Sequence, residues 1–371
     1  MGNTSIEWTN GPGGEPGYTF NGWLGCTKAH AGCTNCYAEV HQAVAMRQGG
    51  RVQWGEVWQG GQRVVVADST WKKPLAWARE AARAGQRRKV FGFSLGDVLE
   101  VPEWPAVWPS RWSEREISHA KTRVAETRAA MDAARERLWA IIRQTSRLCG
   151  ECKECLTGKE RCSALAHRWE GGLDWLLLTK RPENWRLIPE DVRPLVWLGT
   201  SISDQATAER WVPRLLSAHG FRYRFLSVEP LLGPVELHSL KLSPVCAEGG
   251  EGYACGQQPL VSAFDRSERC GCTTEGAEPL DWNTLDWVIV GGESGSKARR
   301  CNVEWIRSIV QQCERAVVPC FVKQLGAAPR FELKTPTGGG FHLPVLNDAK
   351  GGDWAEWPKD LRVRQWPGGE P

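Results

Sequence analysis

The sequence predicts an α/β protein built as a partial or complete parallel βα barrel with two inserted segments, and three observations carry that reading. Six short runs rich in β-branched, aromatic and leucine residues, at 89–94, 173–179, 195–200, 223–228, 287–290 and 319–322, each end in a polar, Gly- or Pro-marked turn. Most are followed by a helical pattern, which is the βα signature. Their continuous apolar character suits strands covered on both faces of a parallel sheet.

The elements follow in order. A first strand is expected before the cysteine loop that starts at residue 26, and the run at 89–94 leads into Gly96-Asp97-Val98. Residues 113–147 read as one helix, opened by a Ser113/Glu116 capping box and carrying the a/d series Ile117, Ala120, Val124, Thr127, Met131, Ala134, Leu138 and Ile141. Nine Lys/Arg and five Asp/Glu between Arg111 and Arg147 give its outer faces a solvated character. Helices are also expected at 206–218 and at 303–316, where Trp305, Ile306, Ile309, Val310 and Cys313 share a face. A Gly-rich polar stretch at 240–281 forms the second insertion, and the loop-like tail from 347 is expected to be pinned by Trp354, Trp357 and Trp366. The resulting organisation is barrel at 1–104, helical insertion at 105–170, barrel at 171–239, cysteine-bearing loop at 240–282, barrel at 283–345 and tail at 346–371.

Composition narrows the function. With 371 residues, 41% hydrophobic and 24% charged, the chain can bury a sizeable core, which excludes disorder and fibrous folds. The apolar runs at 175–178 and 287–290 fall far short of the roughly 20 residues of a membrane helix, and residues 1–11 lack a signal-peptide core. A soluble cytoplasmic chain with no membrane partner is expected. The net charge of +4 neither demands nor excludes nucleic acid. Walker loops, Gly-x-Ser-x-Gly elbows and His-Glu-x-x-His helices are missing from the sequence, which speaks against nucleotide hydrolases, serine hydrolases and metalloproteases.

Fourteen cysteines are the sharper signal, since clustered thiols in a cytoplasmic chain indicate metal or redox chemistry more than disulfides. Cys26, Cys33 and Cys36 form a C-x6-C-x2-C loop. Three thiolates suit a [4Fe–4S] cluster whose fourth iron is open to a small molecule, and are expected to converge with no fourth protein ligand. Zinc completed by His30 is the alternative, with His41 a weaker one. Cys149, Cys152, Cys155 and Cys162 offer a four-thiolate set suited to zinc or to a second iron–sulfur cluster. Cys246, Cys255, Cys270 and Cys272 are looser and favour structural zinc. Both sets would staple inserted segments too small to form their own cores. Cys313 and Cys320 read as core residues, and Cys301 as a candidate hydrogen donor.

Polar residues gather where the predicted strands end: Asp97, Thr179, Lys180, Thr200, Ser201, Ser203, Glu229, Gly291, Gly292, Glu293, Lys323 and Gln324. In parallel barrels that rim is where sites are built. Helix caps and turns are the alternative use of the same residue types. Twenty-one tryptophans serve cores or base stacking, with Trp54, Trp58 and Trp71 beside Arg51, Arg63, Lys72 and Lys73 the stacking candidates.

The Cys33-x-x-Cys36-Tyr37-Ala38 ending resembles radical S-adenosylmethionine (SAM) enzymes, particularly relatives of spore photoproduct lyase. More closely, the chain resembles a phage- and prophage-associated family of radical-SAM-like proteins often encoded near a three-Cys-motif partner protein. The resemblance rests on Ile6-Glu7-Trp8-Thr9, the three-Cys loop, Phe93 to Val98, Leu178 to Pro182, Leu226 to Gly233, Trp287 to Gly295 and Phe321 to Gly326. Two departures stand out: the first gap of the loop is six residues rather than three, and Ser94 and Asp97 occupy the region where Gly-Gly-Glu-Pro usually follows the second strand.

The resemblance implies a barrel of the radical SAM type, with Cys26, Cys33 and Cys36 holding a [4Fe–4S] cluster. SAM would chelate its open iron, and an external electron donor would reduce it to generate a 5′-deoxyadenosyl radical. It further implies Ser94 and Asp97 at the SAM amino group, Thr200 and Ser201 at its ribose or carboxylate, and Glu229, Glu293, Lys180 and Lys323 facing substrate. A nucleobase or nucleic acid is the substrate class implied. The competing reading is a metal-stapled nucleic-acid-binding or assembly protein with no radical chemistry.

Overall fold

The computed structural model describes residues 2–11, 14–40, 52–146, 171–238, 240–241, 260–261, 285–335, 338–344 and 346–368. Its main sheet contains β1 (Tyr18–Phe20), β4 (Arg87–Gly92), β5 (Gly172–Thr179), β6 (Val196–Ile202), β7 (Tyr223–Val228), β10 (Trp287–Gly291) and β12 (Cys320–Gln324), in the order β1-β4-β5-β6-β7-β10-β12. The registers β1/β4, β4/β5, β7/β10 and β10/β12 are parallel. An α/β fold with a parallel sheet in this succession agrees with a partial parallel barrel. All seven residues of β6 are buried, as the unbroken apolar run Val196-Trp197-Leu198 implied.

The chain divides into two compact units, residues 1–29 with 36–197, and residues 30–35 with 198–371. In the first unit, a short antiparallel ladder joins β2 (Trp23–Leu24) to β3 (Val64–Val65), and the α-helices among the described residues are α1 (Tyr37–Val40), α2 (Asp68–Trp71), α3 (Lys73–Arg83) and α4 (Glu114–Thr145). The ring of Phe20 meets Trp71 at 5.2 Å and Trp175 at 5.7 Å, both edge-on, and Tyr18 stacks on Trp77 at 4.4 Å. Burying each such side chain contributes about 1.5–3 kcal/mol. Trp71 is therefore core, its ring shielded from any base, and Arg63 beside it in sequence is also buried.

Helix α4 opens on both halves of the expected Ser113/Glu116 capping box. Of the predicted heptad stripe it buries Ala120, Val124, Met131, Ala134, Leu138 and Ile141, while Ile117 and Thr127 are half-buried. Two polar residues are buried with them, Thr145 and Arg135; the latter is 4% exposed and donates to the Val98 carbonyl at 2.9 Å and to that of Glu100. The helix thereby fixes the turn after β4.

In the second unit, α5 (Gln205–Leu216) starts at a reciprocal Asp204/Thr207 capping box and buries Ala208, Trp211, Val212, Leu215 and Leu216. Asp204→Ala should cost about 1 kcal/mol, read as a lower urea midpoint at unchanged slope. Helix α6 (Val303–Arg315) buries Ile306, Ile309, Val310 and Cys313, with Trp305 half-buried at its edge. Short ladders of β8 (Leu240–Lys241) with β9 (Leu260–Val261), and of β11 (Cys301–Asn302) with β13 (Pro329–Thr335) and β14 (Gly338–His342), are the other strands among the described residues.

The tail is pinned as expected. Val322 and Gln365 exchange backbone bonds across β12, to the carbonyls of Val363 at 2.8 Å and Cys320 at 2.9 Å, which covers an otherwise open edge. Trp357 donates to the Gly351 carbonyl at 2.9 Å, and Trp366 meets Phe321 edge-on at 5.1 Å. Among the described residues no helix is long and apolar enough to cross a membrane.

Candidate functional site

In the first unit the site is built on the turn after β4 and the loop after β2. Phe93 takes a φ of +63°, rare for an aromatic residue, and is kept there by burial against Trp23 at 4.4 Å and by its N–H to the Phe20 carbonyl at 2.8 Å. The turn then presents Ser94, whose hydroxyl accepts from Asn21 at 3.2 Å and whose carbonyl accepts from the Tyr37 hydroxyl at 2.7 Å. Tyr37 of the Cys-Tyr-Ala ending thus ties the residue after Cys36 to the end of β4.

Asp97 is buried and takes four donors: the Leu99 N–H at 3.0 Å, the Thr179 hydroxyl at 2.7 Å, the Lys180 N–H at 3.0 Å and Arg181 Nη1 at 2.9 Å. Burial opposes its charge, but Arg181 and the three other donors outweigh it and hold the carboxyl below its usual range. Both oxygens are engaged within the protein, so the geometry gives Asp97 the work of fixing Arg181. Lys180, expected to face substrate, has a half-buried side chain at the end of β5.

Arg181 was overlooked in the sequence, although it lies in the Leu178 to Pro182 segment. It bridges Asp97, the Thr27 carbonyl at 2.8 Å and Glu100 at 3.4 Å, and Nη1 lies 3.7 Å from the Cys26 sulfur. Glu100 is in turn clasped by Arg63 through two 2.6 Å bonds and accepts the Thr27 N–H at 2.8 Å. Arg63 adds a 2.6 Å bond to the Thr27 hydroxyl. Two arginines and two carboxylates therefore anchor the Cys26-Thr27 arm of the loop. Burial, then the Glu100 charge, push the Cys26 thiol well above its ordinary value, with Arg181 opposing them. Metal binding at Cys26 must displace that proton.

In the second unit, His30 begins the short turn Ala31–Cys33 and accepts the Gly32 N–H at 3.0 Å. Its ring meets Trp211 edge-on at 4.8 Å. A Cβ on Gly32 would overlap the Ser203 hydroxyl and the His30 ring, so only glycine fits. Ser203 Oγ is buried without a hydrogen-bond partner at the end of β6, next to Thr200 and Ser201, which are both buried in the strand.

At the ends of β7 and β12, Glu229 and Lys323 pair at 3.0 Å with side chains 14% and 31% exposed, and Ser227 donates to Glu229 at 3.3 Å. Gly292 is required by close approach, since a Cβ there would overlap the Leu325 carbonyl, and a Cβ on Gly291 would sit tightly at 3.0 Å from Glu229 Oε1. Glu293 takes Arg299 Nη2 at 2.6 Å and Nε at 2.9 Å, and Asn35 at 3.2 Å. Arg299 also reaches the Ala31 carbonyl at 2.7 Å. Hydrogen bonds to Glu293 hold Arg299 charged against burial, the Glu293 charge adds to this, and Cys33 lies near enough to interact with the guanidinium. Cys301 is buried in β11, and burial pushes its thiol up to about 12.

Cys26 and Cys36 belong to the first unit and Cys33 to the second. Among the described residues no group of three or more His, Cys, Asp or Glu side chains is arranged to hold a metal. The donor set nevertheless fits an iron–sulfur cluster in kind. It consists of soft thiols, two of which, Cys26 and Cys33, each have an arginine nearby to offset thiolate charge. The four-cysteine sets at 149–162 and 246–272, with His41, lie outside the described residues.

Fold and site together define an α/β parallel-sheet protein with a cysteine loop and charged strand ends. The chain belongs to the family described as protein of unknown function, DUF5131, whose model matches residues 3–115 and 163–345. The three-Cys loop and every strand-end residue named above fall within the match. The stretch between the two segments, 116–162, carries most of α4 and the second cysteine set. No curated protein matches the chain, and no solved structure does.

Proposed function

We propose that this protein is a cytoplasmic iron–sulfur enzyme of the radical SAM type, acting on a nucleobase or nucleic acid in a phage or prophage setting. The observation that carries the reading is the Cys26/Cys33/Cys36 loop, with Arg181 directed at the Cys26 sulfur and Arg299 near Cys33. Cys26, Cys33 and Cys36 would hold a [4Fe–4S] cluster. When bound and reduced by an external donor, cluster and SAM supply carbon–sulfur cleavage and a 5′-deoxyadenosyl radical.

The chain's own residues position and shield. Arg63, Glu100 and Asp97 fix one arm of the loop, and Tyr37 and Ser94 fix the other. The unpartnered Ser203 hydroxyl, with Thr200 and Ser201, offers polar contacts to a bound nucleoside. Glu229 and Lys323 supply an ion pair that exchanges for substrate contacts, and Glu293 fixes Arg299 beside Cys33. Cys301 keeps its proton at neutral pH, as a hydrogen donor must. The four-cysteine sets would bind zinc or a second cluster, and a three-Cys-motif protein would be the partner.

Anaerobically reconstituted, reduced protein should convert SAM to 5′-deoxyadenosine and methionine, seen by chromatography, slowly without substrate. Iron-replete protein yielding none, with or without nucleic acid, rejects this reading. A metal-stapled nucleic-acid-binding protein then takes its place. Trp104, 45% exposed beneath Arg128 at 5.7 Å, is the observation favouring that second reading.

A further inference from the structure

The motif residue whose effect on the cluster the function above does not define is Arg181. Its guanidinium is spread over four groups of the same unit: Asp97 at 2.9 Å, Glu100 at 3.4 Å, the Thr27 carbonyl at 2.8 Å and the Cys26 sulfur at 3.7 Å. Asp97 and the Thr27 carbonyl take bonds of ordinary charge-assisted length and Glu100 a longer contact, and together they leave the fork little freedom to turn. Asp97 is itself held by Thr179 and by the N–H groups of Lys180 and Leu99, while Glu100 is held by Arg63. The nitrogen that bonds Asp97 is also the one aimed at the sulfur. Its place is therefore set by an oxygen scaffold that does not need the sulfur to be there.

Resting on the iron–sulfur reading, we infer that Arg181 is a positioning and potential-setting residue for the Cys26 ligand. It directs one N–H and a fixed positive charge at the sulfur, with Asp97 and Glu100 as its supports. A hydrogen bond and a cation at a ligand sulfur stabilise the more negative, reduced state of a cluster and raise its potential. The two carboxylates explain why the arginine must be clamped, since a side chain this long and otherwise mobile would not keep one nitrogen on one sulfur. They also leave the site close to neutral before a cluster enters, so the arginine is not an unpaired buried charge.

The test is anaerobic reconstitution of the full chain and of its Arg181→Gln and Arg181→Lys variants. Iron and sulfide are measured per chain, and midpoint potentials are taken by EPR-monitored titration. The wild type should load iron, and Arg181→Gln should load it with a redox equilibrium shifted about tenfold toward the oxidised form, about 59 mV lower for a one-electron couple. Arg181→Lys preserves the charge opposite Asp97 and so guards against loss of fold. Its single ammonium cannot span Asp97, Thr27 and Cys26 together, and a shift of about threefold in the same direction is expected. Fully loaded variants with wild-type potentials would overturn the inference and leave the iron–sulfur reading standing. A wild-type chain that takes up no iron at the loop would remove that reading, and this inference with it.

Discussion

Glu100→Ala lowers stability by about 3–5 kcal/mol, the expected cost of removing one partner from a buried charge network and leaving the rest uncompensated. Glu100 and Arg63 have side chains 2% and 0% exposed, and Arg181 is only 15% exposed. Deleting the carboxylate leaves the buried Arg63 guanidinium without its counter-charge and orphans the Thr27 N–H, while Arg181 keeps Asp97. Urea unfolding at neutral pH checks the size of the loss. The same network predicts acid sensitivity through Asp97. Its folded pKa is depressed, so its contribution is complete above the unfolded value of about 3.9 and is lost as pH falls through the lower folded value. The gap in urea midpoint between wild type and Asp97→Asn should therefore narrow below about pH 4.

The second large effect is on metal. Changing any one of Cys26, Cys33 or Cys36 to alanine should abolish SAM cleavage and strip the loop of most of its iron, because a cluster held by three thiolates has no spare protein ligand. The far-ultraviolet circular dichroism should be unchanged, since none of the three lies within a strand of the main sheet. A variant that keeps full iron and full activity would show that the cysteine concerned is not a ligand.

Much of the fold was legible because burial on both faces leaves an unbroken apolar record. The run at 223–228 coincides with β7, and those at 173–179 and 287–290 fall one residue short of β5 and β10. Helix α4 was readable from its Ser113/Glu116 signature and its heptad stripe. Helix α3 was missed, although Pro74, Trp77, Ala78, Ala81 and Ala82 have helical spacing, because small alanines make a faint apolar stripe. The β13/β14 hairpin was missed for a related reason: Gly338, Gly339 and Gly340 carry no side chains to alternate.

The site was legible in part. Cysteine spacing and polar strand ends picked out Cys26, Asp97, Glu229, Glu293 and Lys323, and in the fold the last four are each engaged in ion pairs. What the sequence concealed was the partner of each. Arg63 and Glu100 are 37 residues apart, and Arg181 lies 155 residues from Cys26. Such pairs leave no local pattern and emerge only when parallel strands bring their ends to one edge of the sheet.

The most direct test of the central claim is a difference measurement on anaerobically reconstituted protein. Iron, sulfide and zinc are counted per chain in the wild type and in the Cys26→Ala/Cys33→Ala/Cys36→Ala variant, with EPR spectra of the reduced wild type before and after SAM. Subtracting the variant removes whatever the other cysteines bind. The expected difference is about four irons with matching sulfide, together with a spectrum that SAM perturbs. A difference of one zinc and no iron, with no response to SAM, would contradict the account.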